Sequence, residues 1–394
     1  MRRSKRVLAA CALVCASAAG TVGWVWGDVQ TAVTGPPPGA VAWRTDQVLG
    51  RQLPDPASAS PARIASFFAG LTERQRELLV TRHPLVVGNL DGAPNGLRYA
   101  ANNRAISIER DRELARAADP ALPAGDRRQA RARAETDAGL LSAGRRILSF
   151  DPRGRGQVAE VYGDLRKARR IAVVVPGSDT DLGSYDTLAL MARHLRAEMT
   201  RRSPSSHSAV IAWTGYTTPV GVGYDAATGR LAEQGAPRLV RFLDGLAATT
   251  RPQTPPAVFC HSYGSVLCGA ADHRLTGRQV SDLVVVASPG MRTDHAGRLP
   301  SGTRLWATAR DATDWIRRVP GIELFGIGHG TDPTDRDFGA RVVSSDRAEG
   351  HTGYFTPGTA SLRNFADIAL GRYQAVSCAY PASSIAEDCR HGLV

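Results

Sequence analysis

The chain has 394 residues, 43% of them apolar and 22% charged, which is long enough to bury a sizeable core and too mixed for a disordered or fibrous protein. Its formal net charge of +12 comes from 49 basic residues, of which only Lys5 and Lys167 are lysines. The arginines are scattered, without a basic stripe or interleaved aromatics, which argues against a nucleic-acid partner and leaves a cationic solvated surface.

The N-terminus begins with MRRSKR, continues as the apolar VLAACALVC and reaches Ala16-Ser17-Ala18, a small-x-small cleavage pattern. Together these read as a secretory signal. The uncharged run nevertheless continues to Trp26, and at about 1.5 Å per residue Val7 to Trp26 is long enough to span roughly 30 Å of hydrocarbon. Residues 1–27 are therefore expected to be a signal peptide or membrane anchor, with the protein secreted or membrane-anchored and extracytoplasmic. Leu8-Ala9-Ala10-Cys11 resembles an acylation box, but only one residue separates it from Arg6, so it lacks an apolar core upstream.

Residues 28–61, with TGPPPGA and LPDPASASP, read as linker. Ile64, Phe67, Phe68 and Leu71 then recur at helical spacing, and Thr72 with Gln75 makes a capping box. Helices are expected through RYAANNRAISIERDRELARAA and DRRQARARAETDAGLLSAGRRI, so residues 62–146 form a helical N-terminal region, interrupted by the turn-rich NLDGAPNG.

From residue 147 to 371 the texture changes to short β-rich runs alternating with helices. The runs are ILSF, QVAEVYG, RIAVVVPG, SAVIAW, PAVFCHS, DLVVVASPG, TRLWATA and ARVVSS. IAVVV, AVIAW and LVVVA are continuously apolar, as strands buried on both faces of a parallel sheet require. The fold class is α/β, with an eight-stranded, mostly parallel sheet and helices on both faces. Residues 372–394 form a C-terminal tail, and no internal repeat occurs.

Ser262, in VFCHSYGSV, closes a strand and opens a helix, the context that lifts a serine hydroxyl to the carboxyl edge of a sheet. The residues two before and two after such a serine must be small. Gly264 fits, whereas Cys260 stands where glycine is usual. The bland reading is a serine capping an ordinary helix. A nucleophilic serine also needs a base and an acid, which in this context follow in the order Ser, Asp, His. Asp311 and Asp314 follow the strand TRLWATA, and His351 follows ARVVSS. Asp314 is preferred as the acid, a few residues into its loop, with Asp311 as the alternative. His329 precedes the last strand and is a weaker base than His351, and His261 reads as structural. Oxyanion donors are expected from the backbone N–H of Tyr263 and from Gly177 or Ser178, since Pro176 has no N–H.

Cys378 and Cys389 enclose a short polar segment that an oxidising compartment would allow to bridge. Cys260 and Cys268 could also pair, although simple packing of a small thiol is the preferred reading. The chain has no CxxC pair and no closing glutamate for a calcium loop, so neither a metal nor an organic cofactor is expected.

VVGNLDGAPNGLRYAANNRAI, VVVPGSDTDLGSYD, CHSYGS, HGTDPTDRDFGA and GHTGYF, in that order, resemble an actinobacterial α/β-hydrolase family long catalogued as a domain of unknown function. The resemblance covers about residues 64–371. It implies an α/β-hydrolase fold with a Ser262, aspartate, His351 triad, and it implies little about substrate. Cys260 and the cysteine-bearing tail depart from the pattern. The resulting expectation is an exported serine hydrolase of the esterase or lipase type, acting on a small-molecule or lipid ester, with membrane or cell-envelope association left open. The rival expectation is a non-catalytic envelope-associated binding or scaffold protein that retains the fold. A dinucleotide-binding domain is disfavoured, because no GxGxxG follows the first strand.

Overall fold

The computed structural model describes residues 29–298, 303–380 and 388–393. The expected signal peptide or anchor, residues 1–27, lies outside the described residues. Among the described residues no helix is long and apolar enough to cross a membrane. The chain divides into two units, Met1–Gln30 and Thr31–Val394, and every helix and strand named below belongs to the second.

The helical N-terminal region comprises α1 (Ala40–Thr45), α2 (Pro61–Ala69), α3 (Glu73–Arg82), α4 (Pro84–Asn89), α5 (Asn95–Ala118) and α6 (Ala124–Leu140). Helix α3 starts on the expected capping box, with Thr72 and Gln75 each satisfying the other's backbone N–H. The linker expectation for residues 28–61 needs correcting. Trp43 and Leu53 are buried in one cluster with Ile64, Phe68 and Leu79, and the Trp43 indole donates to Pro54 O at 2.7 Å. The prolines stiffen this stretch without preventing the apolar side chains between them from burying. NLDGAPNG spans the end of α4 and the start of α5. The Asn89 amide donates to Phe150 O at 2.6 Å and accepts from the Phe150 N–H at 3.2 Å, which pins the turn to the first strand.

The strands are β1 (Ile147–Asp151), β2 (Gln157–Tyr162), β3 (Arg170–Val175), β4 (Ser208–Thr214), β5 (Ala257–His261), β6 (Asp282–Val286), β7 (Arg304–Thr308), the two-residue β8 (Glu323–Leu324) and β9 (Ile327–Gly328), and β10 (Arg341–Val343). β8 and β9 form a separate hairpin, and the other eight form one sheet in the order β1-β2-β4-β3-β5-β6-β7-β10. β2 runs antiparallel to both neighbours, and from β4 to β10 every pair is parallel. This is the expected eight-stranded, mostly parallel sheet.

Between the strands lie α7 (Asp186–Arg202), α8 (Tyr224–Ala227), α9 (Arg230–Thr249) and α10 (Gly264–Asp272), and α11 (Ala360–Leu370) follows β10. Alternating strand side chains serve opposite layers. Val174, Ala212 and Phe259 share a cluster with Leu195 of α7 and Phe365 of α11, whereas Val173, Ile211, Val258 and Cys260 share one with Leu239 of α9 and Leu267 of α10. Two buried faces explain the continuously apolar strands. The parallel direction also brings the loops that follow β3, β5, β7 and β10 to one edge, where the site is built.

Candidate active site

Ser262 follows β5 directly, and its N–H still pairs with Val286 O of β6 at 2.9 Å. Its φ of 54° is left-handed, an unfavourable conformation for serine that the strand on one side and α10 on the other impose. The turn leaves no spare room. A Cβ on Gly264 would lie 2.7 Å from Pro176 O, and one on Gly177 would lie 2.5 Å from the Ser262 Cβ. Glycine at these two positions lets the loop after β3 approach the serine closely.

Ser262 Oγ lies 2.8 Å from His351 Nε2, and His351 Nδ1 lies 2.8 Å from Asp314 Oδ1. With the proton on Nδ1, the ring donates to Asp314 and its Nε2 is free to accept from the serine. Asp314 is 2% exposed and is held by more than the histidine. Its Oδ1 accepts from the Ile316 N–H at 3.0 Å and its Oδ2 from the Tyr354 hydroxyl at 2.8 Å. Burial works to raise its pKa, but the bonds from His351, Ile316 and Tyr354 outweigh burial and hold the carboxyl below the ordinary value.

The other titratable candidates are engaged elsewhere. Asp311 Oδ1 accepts from the N–H groups of Thr313 at 2.9 Å and Gly350 at 3.2 Å, so this carboxylate ties the β7 loop to the loop carrying His351. His329 Nε2 lies 2.7 Å from Ala226 O, beside the Tyr263 ring. His261 Nε2 lies 2.7 Å from the His351 carbonyl. Burial, then the nearby His351, lowers its pKa to about 4, so near neutral pH its uncharged ring donates to that carbonyl and steadies the His351 backbone. The N–H groups of Tyr263, Gly177 and Ser178 have no acceptor among the described residues.

Cys260 and Cys268 form a disulfide, which corrects the preference for simple packing. Cys260 points into the layer that contains α10, and the Cα separation of 6.4 Å lies within bridging range. Cys378 and Cys389 form the second disulfide.

Residues 151–324 match the family described as Alpha/beta hydrolase. This chain has the α/β-hydrolase fold. Among its relatives, the uncharacterized Mycobacterium tuberculosis protein Rv2079 is 28% identical over 385 residues, an alignment covering 83% of this chain and 58% of that protein. A second uncharacterized protein of the same species, Rv0963c, is 36% identical over 157 residues, covering 38% of this chain and 58% of its own length. The chain thus spans rather more than half the length of these relatives. Among solved structures, esterase PE8 aligns at 16% identity with a TM-score of 0.35, covering 53% of this chain and 95% of that one. A Pyrobaculum calidifontis esterase aligns at 13% identity with a TM-score of 0.36, covering 78% and 100%. At these values the structural likeness carries no argument about the reaction.

Sequence reasoning missed two contributors to this α/β-hydrolase site. Tyr354 bridges Asp314 and the Asp311 N–H, and Trp315 lays its ring 4.6 Å from that of His351, while His261, expected to be structural, holds the His351 backbone. Tyr354 and Trp315 follow His351 and Asp314 closely in sequence. That adjacency was the available signal, but only the packing of the two loops gives it meaning.

Proposed function

We propose that the protein is an exported serine hydrolase that cleaves ester bonds through an acyl-enzyme. One observation carries the reading: the unbroken hydrogen-bonded line from Ser262 through His351 to Asp314, headed by a serine on a left-handed turn at the sheet edge. In this mechanism Ser262 Oγ attacks the ester carbonyl carbon as its proton passes to His351 Nε2. Asp314 keeps Nδ1 protonated and stabilises the imidazolium. The carbonyl oxygen becomes an oxyanion and accepts from the N–H of Tyr263 and from that of Gly177 or Ser178. As the C–O bond breaks, the leaving alcohol takes the proton from Nε2. Water then repeats the sequence on the acyl-enzyme, releasing the acid and restoring Ser262. The chemistry calls for neither a metal nor an organic cofactor.

The secretory pattern of residues 1–27 and the two disulfides support an extracytoplasmic location. The substrate class is a small-molecule or lipid ester.

A fluorophosphonate probe should label the folded protein at Ser262, and Ser262→Ala should abolish labelling. On nitrophenyl esters the same variant should lose on the order of 10⁴–10⁶ in kcat, the range found when a triad nucleophile is removed. A folded wild-type protein that takes no label and hydrolyses no ester would instead favour the non-catalytic envelope role.

A further inference from the structure

Unusually exposed apolar side chains occur on three segments, each linked to the candidate site. Phe325 is 96% exposed at the tip of the β8–β9 hairpin, flanked by the exposed Leu324 and Ile327, while Val222 is 78% exposed beside the exposed Tyr224, and Trp315 is also exposed. Each segment is tied to the site. The Gly221 N–H donates to Asp179 Oδ1 at 2.7 Å, and the Asp179 N–H donates to Pro219 O at 2.8 Å, two residues beyond Gly177. Ile327 bridges Thr228, whose carbonyl accepts from the Tyr263 hydroxyl at 2.8 Å. Trp315 lies against His351. Water-facing apolar groups on segments that each connect to the site mark a surface for something apolar.

The charge beside them indicates its sign. Arg317 and Arg318 are exposed immediately after Trp315, and Glu323, the acid within the hairpin, is paired with Arg292 at 2.8 Å. The net charge of +12 has the same sign. Aromatic and aliphatic tips that enter the headgroup boundary, with arginines beside them, fit an anionic bilayer surface.

We propose that this rim docks the protein on an anionic lipid surface and delivers acyl chains from that surface to Ser262. The delivery step rests on the esterase reading, whereas the docking step does not. Because residues 1–27 carry their own apolar stretch, total vesicle binding cannot report on the rim. The test is amide hydrogen exchange on the full chain carrying Ser262→Ala, with and without vesicles of phosphatidylglycerol and phosphatidylcholine. Peptides covering residues 219–225 and 320–328 should exchange about tenfold more slowly with anionic vesicles, an effect the scale of burying one large apolar side chain. Pure phosphatidylcholine should protect them less.

In an otherwise wild-type chain, the surface double variant Leu324→Asp/Phe325→Asp should lose the protection yet hydrolyse a water-soluble acetate ester at the wild-type rate. Unprotected peptides, or protection that survives the double variant, would overturn the proposal. So would protection that requires only a second copy of the chain, appearing with protein concentration and without vesicles. Rim protection in a protein that hydrolyses no ester would keep the docking and discard the esterase reading.

Discussion

Asp311 and Asp314 stand three residues apart in one loop, and what each carboxylate accepts separates them. Asp314 takes the His351 ring, the Ile316 N–H and the Tyr354 hydroxyl, whereas Asp311 takes backbone and hydroxyl donors from Thr313 and the N–H of Gly350. Asp314→Asn would leave the histidine tautomer unspecified and remove the charge that stabilises the imidazolium. It should lower kcat on a soluble ester by about 10⁴-fold. Asp311→Asn weakens only the tie between two loops and should cost at most about tenfold, the effect of a bond worth about 1 kcal/mol. Steady-state kinetics on both variants checks the ordering, and an Asp311 variant as damaged as the Asp314 variant would reverse the assignment. His329, a candidate by residue type alone, is held on Ala226 O, and among the described residues it hydrogen-bonds neither Ser262 nor Asp314.

At the level of elements, the Cys260–Cys268 disulfide joins β5 to α10 on either side of the turn carrying Ser262. The glycine usual two residues before the serine is thus replaced by a covalent brace. The enclosed loop is short, so chain entropy assigns the bond about 2.5 kcal/mol. Cys260→Ala/Cys268→Ala should therefore lower stability by about that amount in guanidinium unfolding, with some further loss because both sites are fully buried. An unchanged midpoint would show that α10 is held on β5 without the bond. The eight runs of β-forming residues were legible because each is an apolar stretch bounded by turn residues. The position of β4 between β2 and β3 was not, since neighbours in a sheet are fixed by crossovers and not by order along the chain.

At the scale of the whole molecule, two buried acids contribute stability that is lost as pH rises, against the opposite contribution of Asp314 and His261. Asp137 of α6 is 2% exposed, and burial, then the carboxylates Glu109 and Glu113 of α5, raises its pKa to about 7. Among the described residues its Oδ1 has no hydrogen-bond partner. The folded chain therefore keeps a proton that the unfolded chain releases as pH rises from about 4 towards 7. Stability from this group is present below the unfolded pKa and is lost as pH rises through the folded one. Asp272, whose pKa burial also raises to about 7, acts in the same direction. Asp137→Asn cannot release a proton, so its stability relative to wild type should grow from little at pH 4 to at most about 4 kcal/mol at pH 8. Denaturant titrations at the two pH values measure the difference, and a gain that is equal at both would refute the titration of Asp137 as its cause.

Local sequence was enough to specify which stretches are buried strands, where helices alternate with them, and which loops carry a serine, two aspartates and a histidine in a chemically suggestive order. Those are properties of neighbouring residues: periodicity, turn formers and side-chain chemistry. Folding in three dimensions was needed to place Trp43 and Leu53 in a core despite their proline-rich surroundings, to bring Cys260 to Cys268, and to set Tyr354 on one of two nearby aspartates. It also joined the hairpin that exposes Phe325 to Thr228, whose carbonyl accepts from the Tyr263 hydroxyl. Most of these depend on groups far apart in the chain meeting within a few ångströms, and even Cys260 and Cys268, eight residues apart, meet only because of how the turn between β5 and α10 is folded; a pattern along one dimension does not encode such distances.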